Sequence, residues 1–472
     1  MAQSGKQVFY DRTGRRSQVV RGISLTIVLA ILGLTVAFFL SVLASPALPS
    51  IDLRIEDQFS PMAPDRPWRS DVEDKALDLK HRRTGTFDSP AATERFAFFV
   101  NWDENSFISL RNHASDIDVL IPEWLHLTSD TGDIALDDPK RQNSTAFWLS
   151  VHAPKMKVMP LINNYDPKAN RWLGEETGRM LRNPKARRRF IRKLKAALTK
   201  ANPSGVVLDF KMLGEADEEH LIKLVTELKR QLAPAGQRVF VVVPVYQPMN
   251  RYHELTAAAD KIILLAYDQH WTGDISGPLA SQGWFEAQLD KRFATTVGSK
   301  IVVAIGSYAI DWQAPGRGRA ISVRSAWDLL RQSRTKLAFH PQLLNPSFSY
   351  KGKQSRRRHT VWMLDGVTVY NQVAAALAMK PAGLALWRLG TEDPTVWHSF
   401  ARERSANAQA LQGLQQIDPG DAVVYNGEGE VRKFKHRQRT GKRTLQHVND
   451  YNLIVQQSIV TAPRALTIER WG

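Results

Sequence analysis

Eight short apolar runs, each closed by turn residues or a helical pattern, limit what this chain can fold into more than any other feature. They are RFAFFVNWD (95–103), DIDVLIPEWL (116–125), KVMPLINN (157–164), SGVVLDFK (204–211), RVFVVVPV (238–245), KIILLAYD (261–268), KIVVAIGSY (300–308) and AGLALWRLG (382–390). Strands that are apolar on both faces need cover on both sides, which is what a parallel sheet supplies. Amphipathic stretches such as EADEEHLIKLVTELKRQL and DGVTVYNQVAAALA lie between several of them. Eight strands alternating with helices over roughly 300 residues predict an α/β protein, a (β/α)8 TIM barrel. A doubly wound open sheet is the competing fold, but no glycine-rich phosphate loop follows the first run.

In six of the eight runs, polar or aromatic residues gather at the C-terminal end. They are Asn101, Trp102 and Asp103; Glu123 and Trp124; Asn163 and Asn164; Asp209 and Lys211; Tyr267 and Asp268; Trp387 and Arg388. That is the face on which barrel enzymes build their sites. Tryptophans interleaved with carboxylates and amides suit the CH-lined faces of sugar rings, while ordinary capping of a barrel rim is the plainer reading. Trp271 and Trp284 read equally as subsite walls or as packing. The histidines show no ligand spacing, so no metal or cofactor is expected, and His126 and His270 read as rim or core groups. There is no cysteine, which removes disulfides and thiolate metal sites.

The chain is 472 residues long with a formal charge of +17, so it extends well beyond a barrel and the location of its charge matters. Residues 1–21 carry Lys6, Arg12, Arg15, Arg16 and Arg21 against Asp11 alone, and residues 22–51 carry no charge. The almost wholly apolar stretch Gly22–Leu43 is long enough to span a bilayer, and its basic flank predicts a cytoplasmic N-terminus. A cleaved signal peptide ending near VLASPA is the alternative; either way the bulk of the chain is exported. The expected organisation is a basic tail (1–21), an anchor (22–44), a Pro-, Asp- and Arg-rich linker (45–93), the barrel (94–403), and a helix plus β-rich spacer (404–472). This places the barrel on the outer side of the cytoplasmic membrane.

A further basic run, Arg182–Lys200, holds nine Lys or Arg and no acid in a helical pattern. It reads as a solvated outer helix face, or as a surface for an anionic partner such as nucleic acid, acidic polysaccharide or lipid headgroups. No nucleic-acid-binding motif accompanies it, which sets nucleic acid aside.

SGVVLDFK resembles the strand-four signature DxxDxDxE of glycoside hydrolase family 18, the chitinase-like barrels. LLAYD (264–268) resembles the strand-six MxYD of that family, and LALWRLG (384–390) its strand eight, whose tryptophan floors the sugar subsite. The likeness covers roughly residues 94–400. The segments FFVNWDENSFISLRNHASDIDVLIPEWL, AYDQHWTGDISGPLASQGWF, WMLDGVTVYNQ and ALWRLGTEDPTVW resemble one branch of it more closely. That branch occurs in bacterial membrane proteins ahead of a polysaccharide deacetylase and a glycosyltransferase. The resemblance implies a polysaccharide partner with N-acetylated sugars, and a deacetylase or glycosyltransferase as possible protein partners. Neither domain follows in this chain.

The family pattern also implies what Lys211 replaces. It would place Asp at 204, Asp or Asn at 207, Asp at 209 and Glu at 211, whereas this sequence has Ser204, Val207, Asp209 and Lys211. In the implied chemistry the sugar's own acetamido oxygen attacks the anomeric carbon, outside the two-carboxylate scheme. The Glu protonates the leaving oxygen, the Asp two residues earlier orients the acetamido group, and the strand-six Tyr, here Tyr267 beside Asp268, supports it. A lysine, whose ordinary pKa is near 10.4, is a poor donor to such an oxygen. Its charge also opposes the cationic sugar of the transition state. The expectation is a catalytically impaired barrel that binds or guides a glycan. The alternatives are a hydrolase with a relocated acid, Glu215 being one candidate, and an assembly subunit for a polysaccharide synthase or deacetylase.

Overall fold

A computed structural model describes residues 93–199, 203–335, 337–340, 343–352 and 357–400, and two short strands at 422–425 and 431–434. The expected basic tail, the Gly22–Leu43 anchor and most of the linker and spacer lie outside the described residues. Among those described, no helix is long and apolar enough to cross a membrane.

The eight runs become eight parallel strands in a closed ring. In chain order they are β1 (Glu94–Val100), β2 (Val119–Leu127), β5 (Leu161–Asn163), β8 (Gly205–Asp209), β9 (Arg238–Pro244), β10 (Lys261–Leu265), β11 (Ile301–Gly306) and β17 (Gly383–Trp387). Each pairs with its chain neighbour, and β17 returns to pair with β1. Burial follows the apolar pattern: the strand residues of β11 are all buried, as are all but the first of β1 and β9. The short pieces β3 (Ile134–Leu136) and β4 (Lys157–Val158) pair with β2, and β6 (Tyr165–Asp166) with β7 (Arg171–Trp172).

The helices of the outer ring start where the sequence supplies caps. Asp103 accepts from Asn105 N at 3.0 Å and opens α1 (Glu104–His113), and Asp138 opens α2 (Pro139–His152) from a position before proline. The next are α3 (Gly174–Arg182), α4 (Pro184–Thr199), α5 (Glu218–Leu232), α6 (Tyr252–Ala258) and α7 (Gln282–Phe293). The sequence patterns at 215–232 and 365–378 correspond to α5 and, after α8 (Val323–Ser333), to α9 (Gly366–Ala378), where Asp365 caps by accepting from Thr368 N at 2.9 Å.

No apolar run marks a strand between the seventh and eighth runs, yet a five-stranded antiparallel sheet stands there. It orders β13 (Gly318–Ile321), β12 (Ala309–Trp312), β16 (Arg358–Met363), β15 (Pro346–Lys351) and β14 (Ala338–Phe339). With α8 it encloses its own small core around Trp327, Phe348, Val361 and Met363. In the tail, β18 (Ala422–Tyr425) pairs antiparallel with β19 (Val431–Phe434).

Candidate active site

The C-terminal ends of the barrel strands open into one cavity. Side chains alternate along a strand, so parity separates many of the rim residues, while a register shift in β2 between Glu123 and Leu125 brings both Glu123 and His126 to the cavity. Phe98 and Trp102 line it, whereas Asn101 and Asp103 turn away. Glu123 lines it, while its neighbour Trp124 is 1% exposed and packs outward with its indole N–H donating to Asn101 Oδ1 at 3.2 Å. Asn163, Asp209, Lys211, Tyr267, Asp268, Trp271 and Trp387 also line the cavity. Of the residues expected at the site, Asn101, Asp103 and Trp124 are therefore supports behind its wall. Trp284 is a buried residue of α7, away from the cavity.

Lys211 lies two residues beyond the end of β8 and points inward. Asn164, fully buried, holds its backbone on both sides: Lys211 N donates to Asn164 Oδ1 and Asn164 Nδ2 donates to Lys211 O, each at 2.9 Å. Lys211 Nζ then lies 2.6 Å from Asp209 Oδ1, a close ion pair whose angles fall outside hydrogen-bond geometry. Both side chains are nearly enclosed, at 6% and 13% exposure. Glu215 faces elsewhere, exposed at the rim and accepting from Asn250 Nδ2. It does not line the cavity.

The opposite wall is aromatic. Trp387, joined to Arg388 by a cis peptide bond, lies nearly parallel to Tyr267 at 6.2 Å and meets Phe98 edge-on at 5.1 Å. Tyr308 meets Tyr267 edge-on and donates its hydroxyl to Asp268 Oδ1. Gly306 makes room for this pair, since a Cβ there would stand 2.7 Å from Tyr308 Cε1. Asp268 takes a left-handed backbone, φ 63°, and lines the cavity beside Tyr267 rather than alternating away from it. Burial raises the Asp268 carboxyl to about 6, opposed by the Tyr308 hydroxyl and the Lys211 charge. Burial also holds the Tyr267 and Tyr308 hydroxyls well above their usual range.

That shift gives a stability prediction. A carboxyl that titrates near 3.8 unfolded and about 6 folded binds more protons in the native state between those values. Its stabilising contribution is complete below the unfolded value and is lost as pH rises through the folded one. The difference is on the order of 3 kcal/mol. Urea unfolding of wild type and Asp268→Asn between pH 4 and pH 7 should therefore show a decline with pH in wild type that the variant lacks; parallel curves would rule out this assignment.

A third wall carries a chain of polar groups. Asn163 Nδ2 donates to Glu123 Oε1 at 2.8 Å, Asn163 Oδ1 lies 2.7 Å from His126 Nδ1, and His126 Nε2 lies 3.5 Å from Asp137 Oδ1. Burial raises the Glu123 carboxyl, with His126 opposing. Burial alone would lower His126, but Asp137, Glu123 and Asn163 outweigh it and raise it. His126, expected as a rim or core group, lines the cavity, as do Asp137, Tyr165, Trp172 and Tyr308, which are not among the expected site residues. Tyr308 ends the seventh run and carried the same signal as its six counterparts. Asp137 and Trp172 sit beyond β3 and on β7, short pieces with no periodicity to mark them. No cluster of histidines and carboxylates able to hold a metal ion occurs among the described residues.

Comparison with known proteins agrees with this architecture. Residues 94–392 match the family described as Glycosyl hydrolases family 18. The uncharacterized glycosylase YvbX of Bacillus subtilis (strain 168) is 22% identical over 317 residues, covering 64% of this chain and 90% of its own. The cortical fragment-lytic enzyme of the same organism is 21% identical over 255 residues, or 51% of this chain and 58% of its own. Among solved structures, a chitinase from Chromobacterium violaceum ATCC 12472 superposes with a TM-score of 0.60 at 21% identity, over 66% of this chain and 98% of that one. A mutant of Ostrinia furnacalis group II chitinase catalytic domain 2, bound to the oligosaccharide (NAG)5, gives 0.55 at 16% identity, over 65% of this chain and 96% of that one.

Proposed function

The chain belongs to glycosyl hydrolases family 18, and from that membership we propose that it is a membrane-anchored barrel that binds or guides a polysaccharide containing N-acetylated sugars while hydrolysing it poorly. Lys211 carries this reading: an ammonium group, 2.6 Å from Asp209, stands where the family pattern calls for the proton donor. The aromatic floor of Trp387, Tyr267 and Phe98 and the hydrogen-bonding groups of Asp209, Asp268 and Asn163 remain in place to hold a sugar. The related chitinase domain bound to (NAG)5 supports an N-acetylglucosamine-type ligand. A role in cell-envelope or exopolysaccharide metabolism, with the anchor at Gly22–Leu43, belongs to the same proposal.

Trp387→Ala tests it. Removing a buried aromatic anchor from the centre of a binding site costs 2 kcal/mol or more, about thirtyfold in affinity. Calorimetric titration with N-acetylated chito-oligosaccharides should show that loss, and unchanged affinity would place the ligand elsewhere.

One observation favours a second reading, a hydrolase with a relocated acid. Glu123 lines the same cavity, and burial raises its carboxyl toward the range in which a proton donor works. That reading predicts released reducing ends from wild type, abolished by Glu123→Gln.

A further inference from the structure

Most of the basic run that the barrel site does not use lies on α4, and the residues beside it carry an unusual surface. The carboxylates that reach this helix are already engaged, Asp133 with Arg189 and Lys193 and Glu227 with Arg187. Lys185, Arg188 and Arg192 are exposed and have no carboxylate partner among the described residues. Their spacing of three and four puts them on one helix face, in a row about 10 Å long.

The apolar surface gathers on the same side. Four of the seven large hydrophobic side chains exposed among the described residues are Ile108 on α1, Leu136 on β3, and Phe147 and Val151 on α2, with exposures of 53%, 44%, 72% and 56%. The strand order β1-β2-β5 seats α2 between α1 and α4 in the outer ring, and β3 packs on α4. Phe107 and Trp148 meet edge-on at 5.7 Å and join α1 to α2. One flank thus presents apolar side chains next to unpaired cations.

We propose that this flank, built from α1, β3, α2 and α4, rests on an anionic lipid surface, with Phe147, Val151 and Leu136 entering the headgroup region and Lys185, Arg188 and Arg192 pairing with lipid phosphates. Apolar side chains beside a basic row are the signature of a surface that lies in a membrane interface. The row runs along the convex outside of a helix, which suits a flat array of charges. A nucleic acid or an acidic polysaccharide would engage the cations alone and leave Phe147, Val151 and Leu136 exposed, whereas a lipid surface covers both. The proposal does not depend on the Gly22–Leu43 anchor. An anchored chain stays near lipid whatever the lipid's charge, and the flank contact alone depends on it.

The chain has no cysteine, so one can be placed at will. The full chain, labelled with an environment-sensitive fluorophore at Val151→Cys or at the exposed control Val297→Cys, is reconstituted in nanodiscs. The discs hold phosphatidylcholine alone or an equimolar mixture with phosphatidylglycerol, each with a lipid-borne nitroxide quencher. Quenching at 151 should appear with phosphatidylglycerol and not at 297. Each basic group near such a surface contributes about fivefold, so losing three charges should weaken the flank's equilibrium with the lipid by about a hundredfold, and Lys185→Glu/Arg188→Glu/Arg192→Glu, which reverses them, by more. The triple glutamine variant serves if the charge reversals unfold the protein. Quenching that is equal at both labels, indifferent to phosphatidylglycerol, or retained by the charge variants overturns the proposal. A charge-dependent response at 151 to soluble polyphosphate, without one to phosphatidylglycerol, would assign the flank to a polyanion and overturn it as well.

Discussion

If the barrel holds chito-oligosaccharides as proposed, Lys211→Glu should convert it into one that cleaves them. The substitution puts a carboxyl beside Asp209 in place of the ammonium that now lies 2.6 Å from Oδ1. Two neighbouring carboxyls cannot both ionise readily, so one is raised toward neutral pH, which is what a proton donor needs. Asn164 grips the backbone of residue 211 through both its N–H and its carbonyl, so the new side chain inherits the inward direction. Restoring a general acid is worth about 10²- to 10⁴-fold in rate. Reducing-end release from N-acetylated chito-oligosaccharides should rise by that factor over wild type, with Lys211→Met as the control that removes the charge without supplying a proton. A Lys211→Glu protein that folds, binds and stays as slow as Lys211→Met would mean that more than the acid has been lost. Val207 and Ser204, which also depart from the family pattern on β8 and just before it, would then be the next positions to restore.

The second large effect is on stability. Arg388 is fully buried, donates to Asp103 Oδ2 at 2.7 Å, and lies over the Trp102 ring at 4.3 Å. Burial lowers the pKa of the guanidinium, and Asp103 opposes that shift. Removing one partner of a buried pair leaves the other as an uncompensated charge, which costs about 3–5 kcal/mol. Arg388→Met should lower the unfolding free energy in urea by that amount. The double variant Arg388→Met/Asp103→Asn should recover a large part of it, because the stranded carboxylate is gone. A double variant no more stable than the single would show that Arg388 acts through packing on Trp102. Glycan affinity should weaken in the single variant too, since Trp102 loses the group that backs it.

The barrel was legible because its strands are buried on both faces. A run such as KIVVAIG has no other way to satisfy its apolar side chains, and all eight runs fell on strands within a few residues. The inserted sheet was not legible for the converse reason. Its strands PSFSYK and RHTVWM are buried over only part of their length, mix Ser, Thr and His with aromatics, and are too short for alternation to stand out. At the site, the residue types were visible at the strand ends but their directions were not. Residues 101–103 lie past the end of β1, and a register shift in β2 falls between Glu123 and Leu125, so simple alternation could not sort Trp102 from Asn101 and Asp103 or foresee that Glu123 and His126 both reach the cavity. Asp268 escapes that rule through its left-handed backbone, which no local sequence feature announces. The polar wall of Glu123, Asn163, His126 and Asp137 is assembled from β2, β5 and the turn after β3, and only the folded ring brings these together.

The measurement that bears most directly on the proposed function is calorimetric titration of the wild-type full chain with N-acetylated chito-oligosaccharides, with reducing ends assayed on the same samples. A disarmed glycan-holding barrel predicts saturable binding with no new reducing ends above those of a heat-denatured control. Steady release of reducing ends by wild type would contradict it and transfer the acid role to another cavity carboxyl, Glu123 first.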